Sequence, residues 1–195
     1  MRAARVAACQ GGRLLKLPTL VGTHCVLREL RVEDAHSLSK NANNDAVSRN
    51  LFDGFPSPYT LADAQAWCNP STRPASVGHV WGVTRHDEVI GCVGLRPDEG
   101  WLRCNAEVGY WLGEPHWRLG ISSDAVRLVV DWAWAQLPTI TRIYAPIFSW
   151  NMGSQAVVTR CGFAMEGRLP QSAIKDGRVI DRFQYATYRK MAAQN

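Results

Sequence analysis

The stretch that decides the fold runs from residue 107 to residue 134 and reads EVGYWLGEPHWRLGISSDAVRLVVDWAW. Residues 106–112 form a short apolar and aromatic run that is typical of a strand. A turn rich in glycine and proline follows, and apolar residues then recur at helical spacing from Ile121 onward. The segment therefore predicts a strand, a tight loop and a helix, in that order.

The loop before this helix is a candidate anion site. The first N–H groups of a helix have no partner within the helix, and the helix dipole adds positive partial charge there. Gly120 has no side chain, which would let a phosphate approach the backbone, and Asp124 suits the first turn. The alternative is a simple strand-to-helix connection, in which Gly120 serves only the turn. The face predicted to be buried carries Ile121, Ala125, Leu128, Val129 and Trp132.

The run WRLGISSDA resembles the acyl-CoA pyrophosphate loop of the GNAT superfamily of N-acetyltransferases, whose pattern is roughly Q/RxxGxG/A. Trp117 takes the first position, Gly120 the central glycine and Ser122 the small final residue. A tryptophan in this place, after GYWL and a loop containing proline, is similar to the RimJ/RimL-like branch, which acetylates the N-termini of ribosomal proteins. Arg118 stands where that branch often has glycine, and Leu119 where it often has a basic or polar residue.

A second motif, NMGSQAVVTRCGF, follows in the order that this family requires. Asn151, Ser154, Gly162 and Phe163 match the NxxS and GF elements that close the GNAT core in the same branch. The resemblance implies an α/β (α+β) GNAT fold, with a mostly antiparallel sheet of six to seven strands split in a V and about four flanking helices. It covers about residues 17–190, which we expect to form a single domain between a flexible leader (1–16) and a short tail (191–195).

Composition narrows the class of protein. The chain has 195 residues, 46% of them hydrophobic, and a net charge of +5, which suits a polyanionic small molecule as well as nucleic acid, or simply a solvated surface. Its six cysteines show no CxxC pair or zinc-type spacing, which favours reduced thiols in a cytoplasmic protein without a metal. Cys92, Cys104 and Cys161 lie in apolar stretches and are expected in the core. No apolar run is long enough to span a membrane.

The other segments predict an antiparallel meander with helices. Residues 20–30 favour a first strand, and a helix carrying Ala35, Leu38 and Ala42 inward is expected after it. Thr60 and Asp63 have the spacing of a helix cap, and His86 with Asp87 marks a hairpin turn. The irregular stretch NLFDGFPSPY precedes that capped helix. The resemblance places this stretch on the acceptor side, with Phe52, Phe55 and Tyr59 near the acceptor or, in the alternative, in the core.

Acetyl transfer to an amine needs a neutral amine, a stabilised oxyanion and a leaving thiolate. The resemblance implies that a backbone N–H of the strand before the loop stabilises the oxyanion, with Tyr110, Trp111 and Leu112 nearest the thioester. Alternation places Glu107, Gly109 and Trp111 on one face of this strand. Glu107 is our candidate for the general base, and a salt-bridged glutamate without a catalytic role is the alternative.

The resemblance assigns further roles near the thioester and the phosphates. Ser154 would protonate the leaving thiolate and Asn151 would bind the pantetheine arm, although both residue types also cap helices. Tyr144 and Tyr110 are the alternative candidates for the acid that protonates the thiolate. Phosphate contacts are expected mainly from the N–H groups of residues 119–123, with Arg118 as a charged supplement and Trp117 packed beside the loop. The expected cofactor-binding residues are Tyr110, Trp111, Leu112, Trp117, Arg118, Leu119, Gly120, Ile121, Ser122, Ser123 and Asn151.

The sequence thus predicts an N-acetyltransferase that uses acetyl-CoA and a primary amine, either a protein N-terminal α-amine or a small molecule. A non-catalytic acyl-CoA-binding or sensor protein on the same fold is the alternative. Direct binding of nucleic acid is disfavoured because no basic cluster interleaves with exposed aromatic residues. A dinucleotide-binding dehydrogenase is disfavoured because no GxGxxG follows a strand. A homodimer is left open.

Overall fold

A computed structural model of the chain describes residues 17–190, in which one eight-stranded sheet is flanked by five α-helices. The strands are β1 (Leu20–Val21), β2 (Val26–Arg28), β3 (His79–Arg85), β4 (Glu88–Pro97), β5 (Asn105–Leu112), β6 (Arg142–Phe148), β7 (Ala164–Lys175) and β8 (Arg178–Tyr188). The helices are α1 (Ala35–Ala42), α2 (Asp45–Ser48), α3 (Leu61–Cys68), α4 (Ile121–Gln136) and α5 (Met152–Arg160). The predicted leader and tail lie outside the described residues.

The strand order is β1-β2-β3-β4-β5-β6-β8-β7. Every described neighbouring pair is antiparallel except β5 and β6, which are parallel and are joined by α4. The two parallel strands pair over only three residues, from Asn105 with Arg142 to Glu107 with Tyr144. Beyond Glu107 they part, so the sheet is split in a V, as predicted.

The sheet separates two apolar layers. On one face, buried side chains of β5 and β6 pack against α4 and α5. On the other face, Leu38 of α1 and Ala64 of α3 pack against Val89 and Cys92 of β4. Three positions predicted to face inward from α4 (Ile121, Ala125 and Val129) are buried, whereas Leu128 and Trp132 are only partly buried. The prediction missed a second row of the same face, formed by Val126, Val130 and Ala133.

The single first strand predicted over residues 20–30 is wrong. The chain instead forms a small hairpin, β1 and β2, with Leu20 opposite Leu27. Asp124 holds the turn of this hairpin, because its Oδ2 accepts a hydrogen bond of 2.7 Å from the His24 N–H. Gly22 is required beside it, since a Cβ there would lie 2.3 Å from the same oxygen. This tertiary contact, which sequence periodicity cannot show, raises the strand count to eight.

Several local predictions are confirmed. Ala35, Leu38 and Ala42 are all buried. His86 and Asp87 both have positive φ angles, of 52° and 64°, in the two-residue turn between β3 and β4.

The predicted cap at Thr60 and Asp63 is also confirmed. Thr60 and Asp63 form a reciprocal capping box at the start of α3. Gly162 (φ 82°) ends α5, and the Phe163 N–H returns to the Val158 carbonyl at 3.1 Å. The short helix α2 was not predicted.

The cysteines are partly as predicted. The five within residues 17–190 form no disulfide. Cys92 is buried, and burial raises the pKa of its thiol to about 12. Cys104, however, is exposed, which corrects its expected place in the core, and Cys161 is half-buried. Cys104 lies in the turn just before β5, so its apolar neighbours in sequence do not surround it in space. Within the described range, no helix has the length and apolar character needed to cross a membrane.

Candidate active site

The centre of the site is the gap that opens between β5 and β6. Pairing between these strands ends at Glu107 and Tyr144, so residues 108–112 of β5 have no strand partner on the β6 side. Their other edge remains paired with β4 as far as Leu112 opposite Gly91. A molecule lying in the gap can therefore hydrogen-bond to this free edge of β5, as another strand would.

The loop at the wide end of the gap presents free amides. The first hydrogen bond of α4 runs from the Asp124 N–H to the Gly120 carbonyl at 3.1 Å. The N–H groups of residues 119–123 have no acceptor among residues 17–190. Leu119 and Gly120 are exposed and Ser122 is partly exposed, whereas Ile121 and Ser123 are buried and anchor the helix. This unpaired first turn is the arrangement that binds a phosphate group.

Gly120 and Arg118 share a backbone conformation that favours glycine. Gly120 has φ 79° at the N-cap of α4, and Arg118 has φ 62°. The resembling branch often has glycine at position 118, and the positive φ explains that preference. The Trp117 indole packs beside the loop, with its Nε1–H donating to the Leu112 carbonyl at 2.8 Å. This bond ties the loop to the end of β5.

Replacing Arg118 with glycine is expected to raise the free energy of unfolding by about 0.5–1 kcal/mol, because a left-handed arginine is strained. Arg118→Ala is the matched control, since it removes the same guanidinium and keeps the strain. Urea denaturation measures the difference between the two variants. If they are equally stable, the backbone at position 118 is not strained. Both variants should bind acetyl-CoA a few-fold less tightly if Arg118 contacts phosphate.

The sequence did not identify His24 as a neighbour of this loop. Its ring atoms Cδ2 and Nε2 lie 3.5 Å from the position that a Cβ on Gly120 would take. The Asp124 carboxylate holds the His24 backbone in this place. Neither the segment around His24 nor the loop at Gly120 carries a sequence signal for this contact, because the two are about a hundred residues apart in the chain.

On the α5 side of the gap, Tyr110 and Ser154 are hydrogen-bonded. The Tyr110 hydroxyl donates to the Ser154 carbonyl at 3.0 Å, and the two hydroxyl oxygens are 2.7 Å apart. Since Tyr110 has one proton, the Ser154 hydroxyl donates to Tyr110 in this arrangement. Burial raises the pKa of Tyr110 above its usual range, despite the hydrogen bond to Ser154. Tyr110 is thus a neutral phenol at neutral pH, next to the predicted acid.

Asn151 caps α5, as one of its two predicted roles requires. Its Oδ1 accepts from the Ser154 N–H at 3.0 Å. The Nδ2 amino group has no acceptor within the part of the chain that the structure describes. This donor is consistent with the other predicted role, binding of the pantetheine arm, which stays a prediction.

Glu107 lies at the apex of the V, on the opposite face of β5 from Tyr110. It forms an ion pair with Arg96 of β4, directly across the strand pair, and this hydrogen bond raises the pKa of Arg96. Tyr144 of β6 is its neighbour on the other side and donates to Asp98 Oδ1 at 3.0 Å. Burial, followed by that hydrogen bond, raises the pKa of Tyr144 to about 12. The salt-bridged state given as an alternative is present, and a role for Glu107 as base stays a prediction.

The loop between α2 and α3 covers the same face as Glu107. Phe55 packs edge-on against Trp111, with ring centroids 5.5 Å apart, and also against Tyr59 at 4.9 Å. Tyr59 lies within the core and burial raises its pKa, whereas Phe52 is exposed. Phe55 thus contacts β5 directly, and the three aromatic residues are buried to different extents. Their contact with an acceptor remains a prediction.

Comparison with known proteins agrees with this geometry. The family model described as an acetyltransferase (GNAT) domain matches residues 24–164. The uncharacterized N-acetyltransferase YoaA of Bacillus subtilis (strain 168) is 28% identical over 173 residues, which are 87% of this chain and 96% of that protein. The ribosomal-protein-serine acetyltransferase of Escherichia coli (strain K12) is 33% identical over 104 residues, 53% of this chain and 57% of that protein.

A solved structure, Mycobacterium smegmatis RimJ in complex with CoA-disulfide, superimposes with a TM-score of 0.77 and 21% identity, covering 91% of this chain and 90% of that one. The split sheet, with α4 beginning at its gap, is the architecture of the GNAT acetyltransferase fold. The chain belongs to the GNAT family of N-acetyltransferases and is accordingly an acyltransferase. The predicted fold and family are confirmed, and RimJ is among the structures that share the fold.

Proposed function

We propose that the protein transfers an acetyl group from acetyl-CoA to a primary amine by direct attack in a ternary complex. The observation that carries this proposal is the V-shaped gap, with unpaired amides at its wide end and a carboxylate at its apex. The diphosphate of acetyl-CoA would bind the N–H groups of residues 119–123, and the pantetheine arm would lie along the free edge of β5. The thioester then lies between Glu107 on one face and Tyr110 with Ser154 on the other.

In the chemical step, the base and the acid act from opposite faces of β5. The amine nitrogen attacks the thioester carbon from the Glu107 face, and its proton passes to that carboxylate directly or through water. A free N–H of β5, from Tyr110 to Leu112, stabilises the oxyanion. The C–S bond then breaks, and the thiolate takes a proton from the Ser154–Tyr110 pair. In this step the Tyr110 hydroxyl leaves the Ser154 carbonyl to reach the thiolate, and the Ser154 hydroxyl keeps its hydrogen bond to the phenolate that results. The phenolate then regains a proton from water.

The preferred acceptor in this proposal is a protein N-terminal α-amine. The match to the ribosomal-protein-serine acetyltransferase supports this preference, as does the tryptophan at position 117. A small-molecule amine is the other acceptor class. Both classes fit a gap whose acceptor face carries two carboxylates, Asp98 and Glu107.

An acceptor screen that detects free CoA thiol tests the proposal. Peptides with N-terminal serine or alanine are compared with polyamines, amino acids and amine-containing antibiotics. We expect the peptides to be acetylated. A silent peptide set beside reactive small amines would overturn the protein preference. Tight binding of acetyl-CoA without turnover of any amine would support the non-catalytic acyl-CoA-binding protein instead.

Glu107→Gln is expected to lower kcat about 100-fold at neutral pH, because a general base contributes roughly that factor or more. Acetyl-CoA affinity should change less than about twofold, since Glu107 is remote from the amides that bind phosphate. Steady-state rates over a pH series and isothermal titration measure the two quantities. Turnover unchanged at every pH would remove Glu107 from the mechanism.

Glu166→Gln is the matched control for this variant. Glu166 is also paired with an arginine, since it accepts hydrogen bonds from Arg142 and Tyr188. Removal of its charge changes the field of the sheet in a similar way, but Glu166 lies on β7 and is not part of β5 or β6. We expect a rate within a few-fold of the unmodified protein.

A further inference from the structure

A long hairpin reaches from the β6 side of the sheet across to the opposite side of the gap. β8 pairs with β6 from Arg142 opposite Tyr188 to Phe148 opposite Arg182. The Ser149 N–H then bonds to the Asp181 carbonyl at 3.1 Å, which continues this pairing past the end of β6. The remainder of the hairpin, with its turn at residues 175–178, extends beyond the sheet.

The tip of this hairpin contacts the loop between α2 and α3. Lys175 Nζ is 3.1 Å from Asp53 Oδ1 and 3.3 Å from Asp176 Oδ1. The Asp176 N–H also lies 3.3 Å from each carboxylate oxygen of Asp53. The Lys175 side chain is only 9% exposed, while that of Asp53 is 47% exposed. The hydrogen bond from Lys175, supported by the Asp176 N–H, lowers the pKa of Asp53, so the carboxylate is charged at neutral pH.

The contact completes a ring around the acceptor face of the gap. The loop that carries Asp53 rests on β5 through Phe55 and Trp111. The hairpin that carries Lys175 is fixed to β6. At the apex the two strands pair directly, at Glu107 and Tyr144. The arms of the V are therefore joined at both ends, by a strand ladder at one and by an ion pair at the other.

The two ends of the ring differ in strength. Strand pairing at the apex is supported by buried neighbours such as Ala106 and Ile143. The ion pair has one half-exposed partner, so water and salt weaken it. Because Lys175 is nearly buried, however, its charge depends on Asp53 and Asp176 for compensation. An opening of the ring would therefore begin at Asp53 and Lys175.

We propose that Asp53 and Lys175 form a clasp that sets the width of the acceptor entrance and so selects slender, extended amine ends. The inference rests on the proposed function in one respect, namely that the acceptor amine enters through this gap. The clasp admits the free end of a peptide or an alkylamine and excludes an amine held close to a folded surface. Opening the clasp admits wider groups to the same gap.

A thiol introduced in the gap tests access without any acetyl transfer. Gly109 lies on the same face of β5 as Glu107, is exposed, and has no atom within 4 Å of the position of an added Cβ. Gly109→Cys is made together with Cys104→Ser, because Cys104 is exposed and would react as well, and with Cys9→Ser, because Cys9 lies outside the described residues. The rate of modification is then measured with N-ethylmaleimide, which is small, and with a maleimide attached to a polyethylene glycol chain of about 5 kDa, which is much bulkier than a pocket-sized ligand.

With the clasp intact, we expect the large reagent to react about tenfold more slowly, relative to the small one, than it does after Asp53→Asn. Lys175→Met should have the same effect, and it leaves no buried lysine charge without a partner. Asp131→Asn is the control, since it removes an exposed carboxylate from α4 on the opposite face of the sheet. A ratio that is the same for Asp53→Asn, Lys175→Met and Asp131→Asn overturns the clasp.

The acceptor side is tested with one peptide in two forms. A four-residue peptide with N-terminal serine is compared with the same residues fused directly to a compact folded domain. We expect Asp53→Asn to raise kcat/KM for the fused form about fivefold relative to the free peptide, and Asp131→Asn to leave the ratio unchanged. Acetyl-CoA affinity should be the same in all variants. Thiol access that depends on the clasp, without acetylation of any amine, would refute the proposed function and keep the clasp.

Discussion

Replacing Gly120 with aspartate is expected to weaken acetyl-CoA binding about 100-fold relative to replacing it with asparagine. The two substitutions have nearly the same shape, and both residue types tolerate the left-handed backbone better than most. A Cβ at position 120 would meet the His24 ring at 3.5 Å, an ordinary contact, so both side chains fit. Only aspartate adds a negative charge beside the amides that would bind the diphosphate.

Isothermal titration with acetyl-CoA measures this effect, and urea denaturation shows whether the two variants are equally stable. A charge about 4 Å from a phosphate costs several kcal/mol at the dielectric of a protein surface, and salt reduces this to the expected 100-fold. The difference should therefore shrink as ionic strength rises. Equal affinities of the two variants would mean that no anion lies near Gly120.

Asp34→Asn is expected to lower the free energy of unfolding by about 3–5 kcal/mol, because it leaves a buried guanidinium with only the exposed Asp87 as its counter-charge. Arg28 and Asp34 are 7% and 8% exposed and are joined by two parallel hydrogen bonds of 2.7 and 2.8 Å. The Arg31 N–H donates to the same carboxylate at 2.7 Å. Thermal and urea denaturation measure the loss.

Asp87→Asn is the matched control, since Asp87 pairs with the same arginine at 3.0 Å but its side chain is 71% exposed. Its removal should cost less than about 1 kcal/mol. If the two variants lose the same free energy of unfolding, burial of the Arg28–Asp34 pair does not determine how much the pair contributes to stability.

The same pair predicts a dependence on pH. Burial acts to raise the pKa of Asp34, but the hydrogen bonds from Arg28 and Arg31 outweigh it, so the pKa is lowered on folding. A depressed pKa contributes stability that is fully present above the unfolded value of about 3.9 and is lost as pH falls through the folded pKa. The stability difference between the unmodified protein and Asp34→Asn should therefore shrink below about pH 4. A difference that stays constant there would contradict the assignment.

The sequence predicts the parts of this molecule that depend on neighbouring residues. Gly120, with the strand before it and the helix after it, predicts the anion loop, because free amides follow from the start of any helix. The cap at Thr60, the turn at His86 and the glycine at position 162 are likewise local in origin. The family follows from two such local motifs in a fixed order.

Contacts between distant segments could not be predicted in this way. The bonds between Tyr110 and Ser154 join residues 44 positions apart, and those between Asp53 and Asp176 join residues 123 apart. The exposure of Cys104 and the split of the first strand have the same origin, since each depends on what the fold brings near. Side-chain roles in the site, such as that of Glu107, depend on these distant contacts and remain predictions.

The central claim is that the free amides of residues 119–123 bind the diphosphate of acetyl-CoA and so place the thioester beside β5. Isothermal titration with acetyl-CoA and with S-acetylpantetheine, which keeps the thioester arm and lacks the diphosphate, tests it most directly. We predict that acetyl-CoA binds at least about 100-fold more tightly, and that Gly120→Asp removes most of this advantage. Equal affinities for the two compounds, or an advantage that Gly120→Asp leaves intact, would contradict the claim.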